Sequence, residues 1–336
     1  MDDFFKKDFE KQILFVDTTW IEQFLKVLDD DDNCDLEYLE REFLGYREEG
    51  HKKRISQVGT CARDFVDLCY PSCNVIVKNW WSKIRKDVVN FIGDNPEFDI
   101  SFVSDLSWPW NLMPLENDTP LDRKYRVSLC SSFDFIELKD QTNTIFVGEG
   151  NVDSNWTGGE FKGWDTTKQI YENHIENTPN VSCRISNLAT TCDFEKSILG
   201  FYSSNDLPDF VHTNCHGHQN ELELKNQKLP AEKIKQVLDS SSGAIRIWIS
   251  ESCWGVQMFQ NHKIMKTGKI GSVICHTGIA DEQTDSTIFV RVLWSHLMRG
   301  STIGAAFLAA KQVVTDTDPS SGSFTLIGNP KTRMFS

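Results

Sequence analysis

The feature that most constrains the fold is an alternation of strand-like and helix-like segments, which begins at Phe98 and continues to the end of the chain. The strand-like segments are short apolar runs, and the helix-like segments between them are longer and amphipathic. The clearest strands are FDISFV, NTIFVGEGN, NVSCRIS, DFVHTNC, AIRIWIS, GSVICHTGI and FTLIGNP. This alternation predicts an α/β fold with a mostly parallel sheet sandwiched between helices.

The first 95 residues have a different texture and predict a helical region. Seven apolar residues near the start recur at nearly helical spacing, namely Ile13, Phe15, Trp20, Ile21, Phe24, Leu25 and Leu28. Further helices are expected at about residues 36–65 and 79–92. We therefore divide the chain into a helical N-terminal region, residues 1–95, and an α/β domain, residues 96–336.

Two of the predicted strands end in reactive residues. DFVHTNC leads into His216 and Gly217, and AIRIWISES leads into Cys253. In a parallel sheet the chemistry collects at the carboxyl ends of the strands. One helix, of the right length for a right-handed crossover, lies between the two segments, so we expect the strands to be neighbours. The sequence thus predicts an imidazole and a thiol at one edge of the sheet.

A thiol beside a histidine can act as a nucleophile, because it either gives its proton to the ring or pairs with imidazolium. Cys253 is therefore the candidate nucleophile and His216 the candidate proton carrier. The glycine after His216 allows a sharp turn that presents a backbone N–H. We expect the amides of Gly217 and Cys253 to form an oxyanion hole, in which one donor contributes about 2.7–4 kcal/mol.

Other combinations of these residue types are weaker candidates. The cluster of His212, Cys215, His216 and His218 could hold a metal, which would make the protein a metal-dependent hydrolase. Successive side chains along a strand point to opposite faces, so we expect no metal there and assign His212 to packing or hydrogen bonding. For the same reason the adjacent Cys and His of GSVICHTGI cannot act as a pair.

Five segments, in this order, resemble the motifs of caspase-like cysteine peptidases, and among these most closely the CHAT peptidases. They are SWPWNLMPL, HTNCHGH, WISESCWG, the stretch from GSVICHTGI through two helices separated by a glycine, and FTLIGNPKTRMF. Asn111 replaces an acid of the family pattern, and Asn329 replaces another. The resemblance covers about residues 98–336. It implies a caspase-like fold and a cysteine endopeptidase, with His216 as the catalytic histidine and Cys253 as the nucleophile.

The resemblance also implies a substrate pocket and a mode of regulation. In caspase-like peptidases the segment after the strand GSVICHTGI helps to wall the pocket for the residue before the cut. Asp281, Glu282 and Asp285 lie there, which implies a preference for a basic residue; the alternative is that Asp285 caps the next helix. CHAT peptidases often act as switched effectors, including in prokaryotic antiviral defence and CRISPR-linked systems, so residues 1–95 are a candidate docking region for a regulatory protein.

The charge and the distribution of apolar residues indicate which partners and which cellular compartment to expect. The net charge of −14, from 35 Lys and Arg against 49 Asp and Glu, disfavours direct binding to nucleic acid. The start, MDDFFKKDFEKQ, lacks the pattern of a signal peptide, and no run approaches the roughly 18 apolar residues of a membrane span. We expect a cytoplasmic protein with mostly reduced cysteines, protein substrates and no cofactor. The main alternative is a catalytically silent caspase-like module that binds or scaffolds other proteins.

Overall fold

A computed structural model of the chain describes most of the α/β domain and part of the N-terminal region. The helix expected at about residues 36–65 lies outside the described residues. Those residues are 4–19, 21–22, 74–104, 110–113, 115–116, 119–136, 138, 144–150, 168–172, 181–199, 206–218, 220–253, 255–261, 263–276, 284–315 and 324–335.

The described ranges form twelve strands, six longer helices and a short helical segment at 168–172. The strands are β1 (Phe5–Asp8), β2 (Ile13–Asp17), β3 (Asp99–Val103), β4 (Val127–Cys130), β5 (Thr144–Glu149), β6 (Ser182–Asn187), β7 (Phe210–Asn214), β8 (Glu221–Glu223), β9 (Lys228–Pro230), β10 (Ile245–Glu251), β11 (Ile270–His276) and β12 (Phe324–Gly328). The helices are α1 (Asn74–Asp94), α2 (Thr191–Leu199), α3 (Ala231–Asp239), α4 (Gly255–Asn261), α5 (Thr284–Leu297) and α6 (Ile303–Thr315). Within these ranges, no helix is both long and apolar enough to cross a membrane.

Ten of the strands form one sheet in the order β1-β2-β3-β4-β12-β11-β10-β7-β5-β6. Neighbours in this sheet are parallel except at β1 against β2 and at β11 against β12. The step between β11 and β12 divides the sheet into two parallel halves that run in opposite directions. We call β2, β3, β4 and β12 the first half, and β11, β10, β7, β5 and β6 the second half. Their carboxyl ends therefore lie at opposite edges of the sheet.

Helices cover both faces of the sheet, and the strand residues show why. In β10, Ile247 and Ile249 pack into one hydrophobic core, and Trp248 packs into the other. The first core includes Phe289 of α5, and the second includes Phe259 of α4, whose ring centroid lies 5.2 Å from that of Trp248. Strands buried on both faces are typical of parallel sheets covered by helices. The predicted α/β sandwich is confirmed.

The prediction of a helix at the start of the chain is wrong for residues 13–17. These residues form β2, which pairs in parallel with β3 and places Ile13 opposite Asp99. The first four residues of β2 are at most 1% exposed, so both faces of the strand are buried. Buried strands have continuous apolar runs, and over such a short run strand and helix cannot be told apart by periodicity.

The helix expected at about residues 79–92 is present as α1. Its Trp80 and Trp81 rings lie against Trp110 and Phe102, with centroids 5.5 Å and 6.1 Å apart. The described part of residues 1–95 is thus built onto the sheet of the α/β domain. Whether residues 1–95 serve as a regulatory or docking region stays a prediction.

Candidate active site

The neighbouring strands β7 and β10 bring the two predicted reactive residues to one edge of the sheet. The strands are parallel, as the crossover argument predicts, and Asn214 lies opposite Glu251. His216 and Cys253 each follow two residues after this pair, and both are partly exposed. The second half of the sheet thus presents an imidazole and a thiol just past the carboxyl ends of adjacent strands.

Gly217 lies directly against the backbone of the Cys253 turn. A Cβ atom at position 217 would be 2.3 Å from the carbonyl oxygen of Cys253, 2.9 Å from the Cβ of Ser252 and 3.2 Å from the amide nitrogen of Cys253. Any larger residue would push the two turns apart, so this close approach requires glycine. On the other side, the Glu223 amide donates to the His216 carbonyl at 2.8 Å and fixes the histidine turn.

Three cysteines lie at this edge, and they differ in exposure. Cys215 is 3% exposed and Cys275 is 0% exposed, whereas Cys253 is partly exposed. Burial raises the pKa of Cys215 to about 12, and the neighbouring Cys253 adds to this effect. Burial also raises the pKa of Cys275. The thiolate is the reactive form, so the two buried thiols are inert and Cys253 is the accessible one.

Helix α4 starts immediately after the Cys253 turn and is packed tightly against β11. A Cβ atom on Gly255 would be 2.5 Å from the Cβ and 3.2 Å from the Sγ of Cys275. This glycine therefore allows the start of α4 to contact the neighbouring strand. The contact fixes the chain on the far side of Cys253.

A chain of buried hydrogen bonds lies beneath the candidate site. Trp294 Nε1 donates to the hydroxyl of Tyr171 at 2.8 Å, that hydroxyl lies 2.5 Å from His212 Nδ1, and His212 Nε2 lies 2.5 Å from a carboxylate oxygen of Glu251. An indole N–H only donates and an ionised carboxylate only accepts. A neutral imidazole that accepts at Nδ1 and donates at Nε2 therefore satisfies every member. His212 is hydrogen-bonded, as predicted.

Sequence reasoning did not identify Glu251, Tyr171 or Trp294 as members of this hydrogen-bonded chain. Glu251 is the last residue of β10, and its side chain is 11% exposed. Its position two residues before Cys253 was the available signal. Tyr171 belongs to the separate helical segment at 168–172, and nothing in the sequence indicates its contact with His212. The network anchors the end of β10, two residues before Cys253.

Cys275 and His276 have opposite orientations, as predicted from their adjacency in a strand. Cys275 packs into the core on one face of the sheet, whereas the His276 ring lies against Phe324 on the other face, with centroids 3.9 Å apart and the rings tilted by 35°. Burial lowers the pKa of His276 to about 4, although the nearby carboxylate of Glu251 acts in the opposite direction. His276 is therefore neutral at physiological pH.

The histidines that suggested a metal are held by different partners. His212 binds Glu251, whereas His218 Nε2 lies 2.7 Å from a carboxylate oxygen of Glu223 in β8. Among the residues that the structure describes, no three His, Cys, Asp or Glu side chains are grouped as metal ligands. The groups assembled at this edge are suited to nucleophilic attack and proton transfer.

The described residues do not test the three residues expected to form an acidic pocket. Asp281 and Glu282 lie outside the described residues. Asp285 lies in the first turn of α5, and its side chain is also outside the description. The pocket therefore stays a prediction.

Comparison with known proteins gives likenesses of structure alone. No protein-family model and no curated protein matches the sequence. The crystal structure of the Arg-specific cysteine proteinase gingipain R (RgpB) superposes with a TM-score of 0.52 at 9% identity, covering 97% of this chain and 79% of that chain. This likeness shows the fold, which is that of caspase-like cysteine peptidases. The specific resemblance to CHAT peptidases stays a prediction.

Two further solved structures are similar over part of the chain. The separase–securin complex of Saccharomyces cerevisiae gives a TM-score of 0.47 at 11% identity, covering 69% of this chain and 15% of the separase chain. The complex of the pro- and mature domains of Porphyromonas gingivalis RgpB gives 0.48 at 8% identity, covering 70% of this chain and 64% of that chain. This chain thus spans less than two thirds of the matched chain in each of these two structures.

Proposed function

We propose that the protein is a cysteine endopeptidase, with Cys253 as nucleophile and His216 as proton carrier. The observation that carries the proposal is their placement two residues past a register pair of adjacent parallel strands, with Gly217 packed on the backbone of Cys253. The accessibility of Cys253, next to two buried thiols, supports the same assignment. The overall fold adds support, because the similar gingipain R is a cysteine proteinase.

The proposed chemistry proceeds through a thioester. The thiol of Cys253 gives its proton to His216, the sulfur attacks the carbonyl carbon of the peptide bond, and the carbonyl oxygen becomes an oxyanion. The backbone amides of Gly217 and Cys253 donate hydrogen bonds to it. His216 gives a proton to the leaving amine as the C–N bond breaks, and water then hydrolyses the thioester with His216 as base.

An electrophilic peptide probe tests the nucleophile separately from proteolysis. We expect such a probe to label Cys253 and no other cysteine, and Cys253→Ala and His216→Ala each to abolish cleavage while circular dichroism stays unchanged. Cys192→Ala is the matched control, because Cys192 is an exposed thiol on α2. Cleavage that persists in Cys253→Ala contradicts the proposal. A probe that leaves Cys253 unlabelled in the intact protein favours the silent binding module.

The proposed specificity is for a basic residue before the cut. The support is the position of Asp281, Glu282 and Asp285, which follow β11, whose carboxyl end lies at the same edge as Cys253. Paired peptides with Arg or Leu before the scissile bond measure it. We expect Arg to be preferred, and the preference to fall in Asp281→Asn, Glu282→Gln or Asp285→Asn. An equal rate for both peptides contradicts this specificity.

The proposed biological role is that of a regulated cytoplasmic effector, with antiviral defence as the setting. The support is the resemblance to CHAT peptidases. The net negative charge of the chain also favours protein partners over nucleic acid. Residues 1–95 are proposed to receive the regulatory protein. Sequencing of new protein N-termini in cells that express the active chain or Cys253→Ala would identify the substrates. Identical sets of termini would contradict the role.

A further inference from the structure

A cavity of about 370 Å³ lies at the edge of the sheet opposite the candidate active site. It is lined by Cys130 and Gly328, the last residues of β4 and β12, and by Ile270, the first residue of β11. The carboxyl ends of the first half of the sheet meet here, because this half runs opposite to the second. Ligands of open α/β sheets bind at such ends, and the volume is within the usual range for small molecules.

The wall of this cavity carries an amide with unused hydrogen-bonding capacity. Gln260 of α4 lines the cavity and is 7% exposed. Neither its side-chain nitrogen nor its side-chain oxygen has a hydrogen-bond partner among the residues that the structure describes. Buried amides are normally paired, so Gln260 lacks a partner that supplies one acceptor and one donor side by side.

The rest of the lining fits a flat ring with polar substituents. Ile270, Ile327 and Met265 give apolar contacts for the faces of a ring. Asp134 and Lys266 are exposed lining residues, so they offer an acceptor for hydroxyl groups and a positive charge for an anion. An apolar slot with a few polar groups is the usual composition of a small-molecule site.

We propose that this cavity binds an adenine nucleoside or nucleotide, with the amide of Gln260 paired to the base. Glutamine pairs with adenine through two hydrogen bonds, because its oxygen accepts from N6 and its nitrogen donates to N7. Guanine presents only acceptors, N7 and O6, on the corresponding edge, so it leaves the amide oxygen of Gln260 unpaired. In this proposal Asp134 supplies an acceptor for the ribose hydroxyl groups, and Lys266 supplies a positive charge for a phosphate. This site is independent of the proposed peptidase chemistry.

Calorimetric titration of the full chain with adenosine, AMP and guanosine tests the site. We expect adenosine or AMP to bind roughly tenfold or more tightly than guanosine, since a bidentate pair discriminates by about that factor. Inorganic phosphate is titrated separately. The absence of binding by both adenosine and AMP, or AMP binding no tighter than phosphate alone, overturns the proposal.

Two matched variants place the ligand. Gln260→Leu should weaken adenosine binding roughly tenfold. Gln257→Leu should leave it unchanged, because Gln257 lies one turn earlier on α4, is 1% exposed and also has an unpaired amide, but does not line the cavity. Gln260→Glu keeps the acceptor and loses the donor, so it should also weaken binding. Equal losses in the Gln257 and Gln260 variants overturn the assignment.

Discussion

Two helices cover the same face of the sheet, yet each joins a buried polar cluster of a different kind. Helix α5 contributes Trp294 to the hydrogen-bonded chain through Tyr171 and His212, in which the buried members can all be neutral. Helix α6 contributes Lys311, which forms an ion pair with Asp122, and both side chains are 0% exposed. The first cluster ends at the partly exposed carboxylate beside the Cys253 turn. The second lies under the first half of the sheet.

The comparison indicates that the two buried polar clusters have different roles, according to where they lie in the sheet. A neutral hydrogen-bonded chain holds side chains in place without the cost of burying charged groups. This one holds the end of β10, which precedes Cys253. The ion pair joins α6 to the turn before β4, where Asn111 also donates to Asp122 at 2.7 Å. Burial lowers the pKa of Lys311, and the carboxylate of Asp122 opposes this shift. We therefore expect the ion pair between Lys311 and Asp122 to affect the free energy of unfolding.

The largest expected effect comes from breaking the ion pair on one side. Lys311→Met leaves the carboxylate of Asp122 buried without its cation, so the free energy of unfolding should fall by about 3–5 kcal/mol. Urea unfolding measures this change. The double variant Lys311→Met/Asp122→Leu is the control and should recover most of the loss. A small effect in the single variant would contradict the prediction.

Acid should destabilise the other cluster through the histidine next to it. The folded pKa of His276, about 4, lies below the ordinary value of 6.5, so protons bind more readily to the unfolded chain. Above about pH 6.5 the ring is neutral in both states, so His276 has no effect on the pH dependence of stability there. As the pH falls from 6.5 to 4, the free energy of unfolding should fall by about 3 kcal/mol because of His276. Urea unfolding at several pH values measures this slope. His276→Phe should flatten it, and an unchanged slope would contradict the prediction.

A smaller effect is expected from interrupting the hydrogen-bonded chain. Tyr171→Phe removes the hydroxyl and leaves Trp294 Nε1 and His212 Nδ1 without this partner, so we expect a loss of about 2 kcal/mol in the free energy of unfolding. Tyr125→Phe is the matched control, because Tyr125 is partly exposed. Should the two variants be equally stable, the hydroxyl of Tyr171 would not be an essential link.

The smallest effect should follow from neutralising the carboxylate of Glu251, at which the hydrogen-bonded chain ends. Glu251→Gln keeps an oxygen acceptor for His212 Nε2 but removes the charge, so stability at neutral pH should fall by about 1 kcal/mol. The same change removes the interaction that raises the pKa of His276, so this pKa should fall. NMR titration of the His276 ring measures the shift. A rise in this pKa would contradict the assigned geometry.

The architecture of residues 98–336 could largely be predicted from the sequence, because its central strands are apolar runs bounded by turns. The pairing of β7 with β10 followed from the single helix between them, and with it the meeting of His216 and Cys253 at one edge. These predictions rested on local patterns and on the handedness of crossovers. Such patterns can be recognised in the sequence without knowledge of contacts between distant segments.

What the sequence did not reveal depends on contacts between distant segments. The sequence predicts a helix where β2 lies, because the partner strand β3 is far along the chain and the four apolar residues of β2 fit either structure. The bond between Tyr171 and His212 joins segments that share no motif. The cavity beside Gln260 is formed by several separate segments, and no single segment indicates it.

The pairing of β1 with β2, and of β2 with β3, also determines how the chain can be shortened. A protein that begins after residue 17 would lose both strands. The backbone N–H and C=O groups of β3 that bond to β2 would then be unpaired, along a strand whose five residues are all buried. Unprotected apolar edges pair with other molecules, whereas the native edge strand carries the exposed lysines Lys6 and Lys7. Deletion of these few residues should therefore promote self-association through the newly exposed edge of β3.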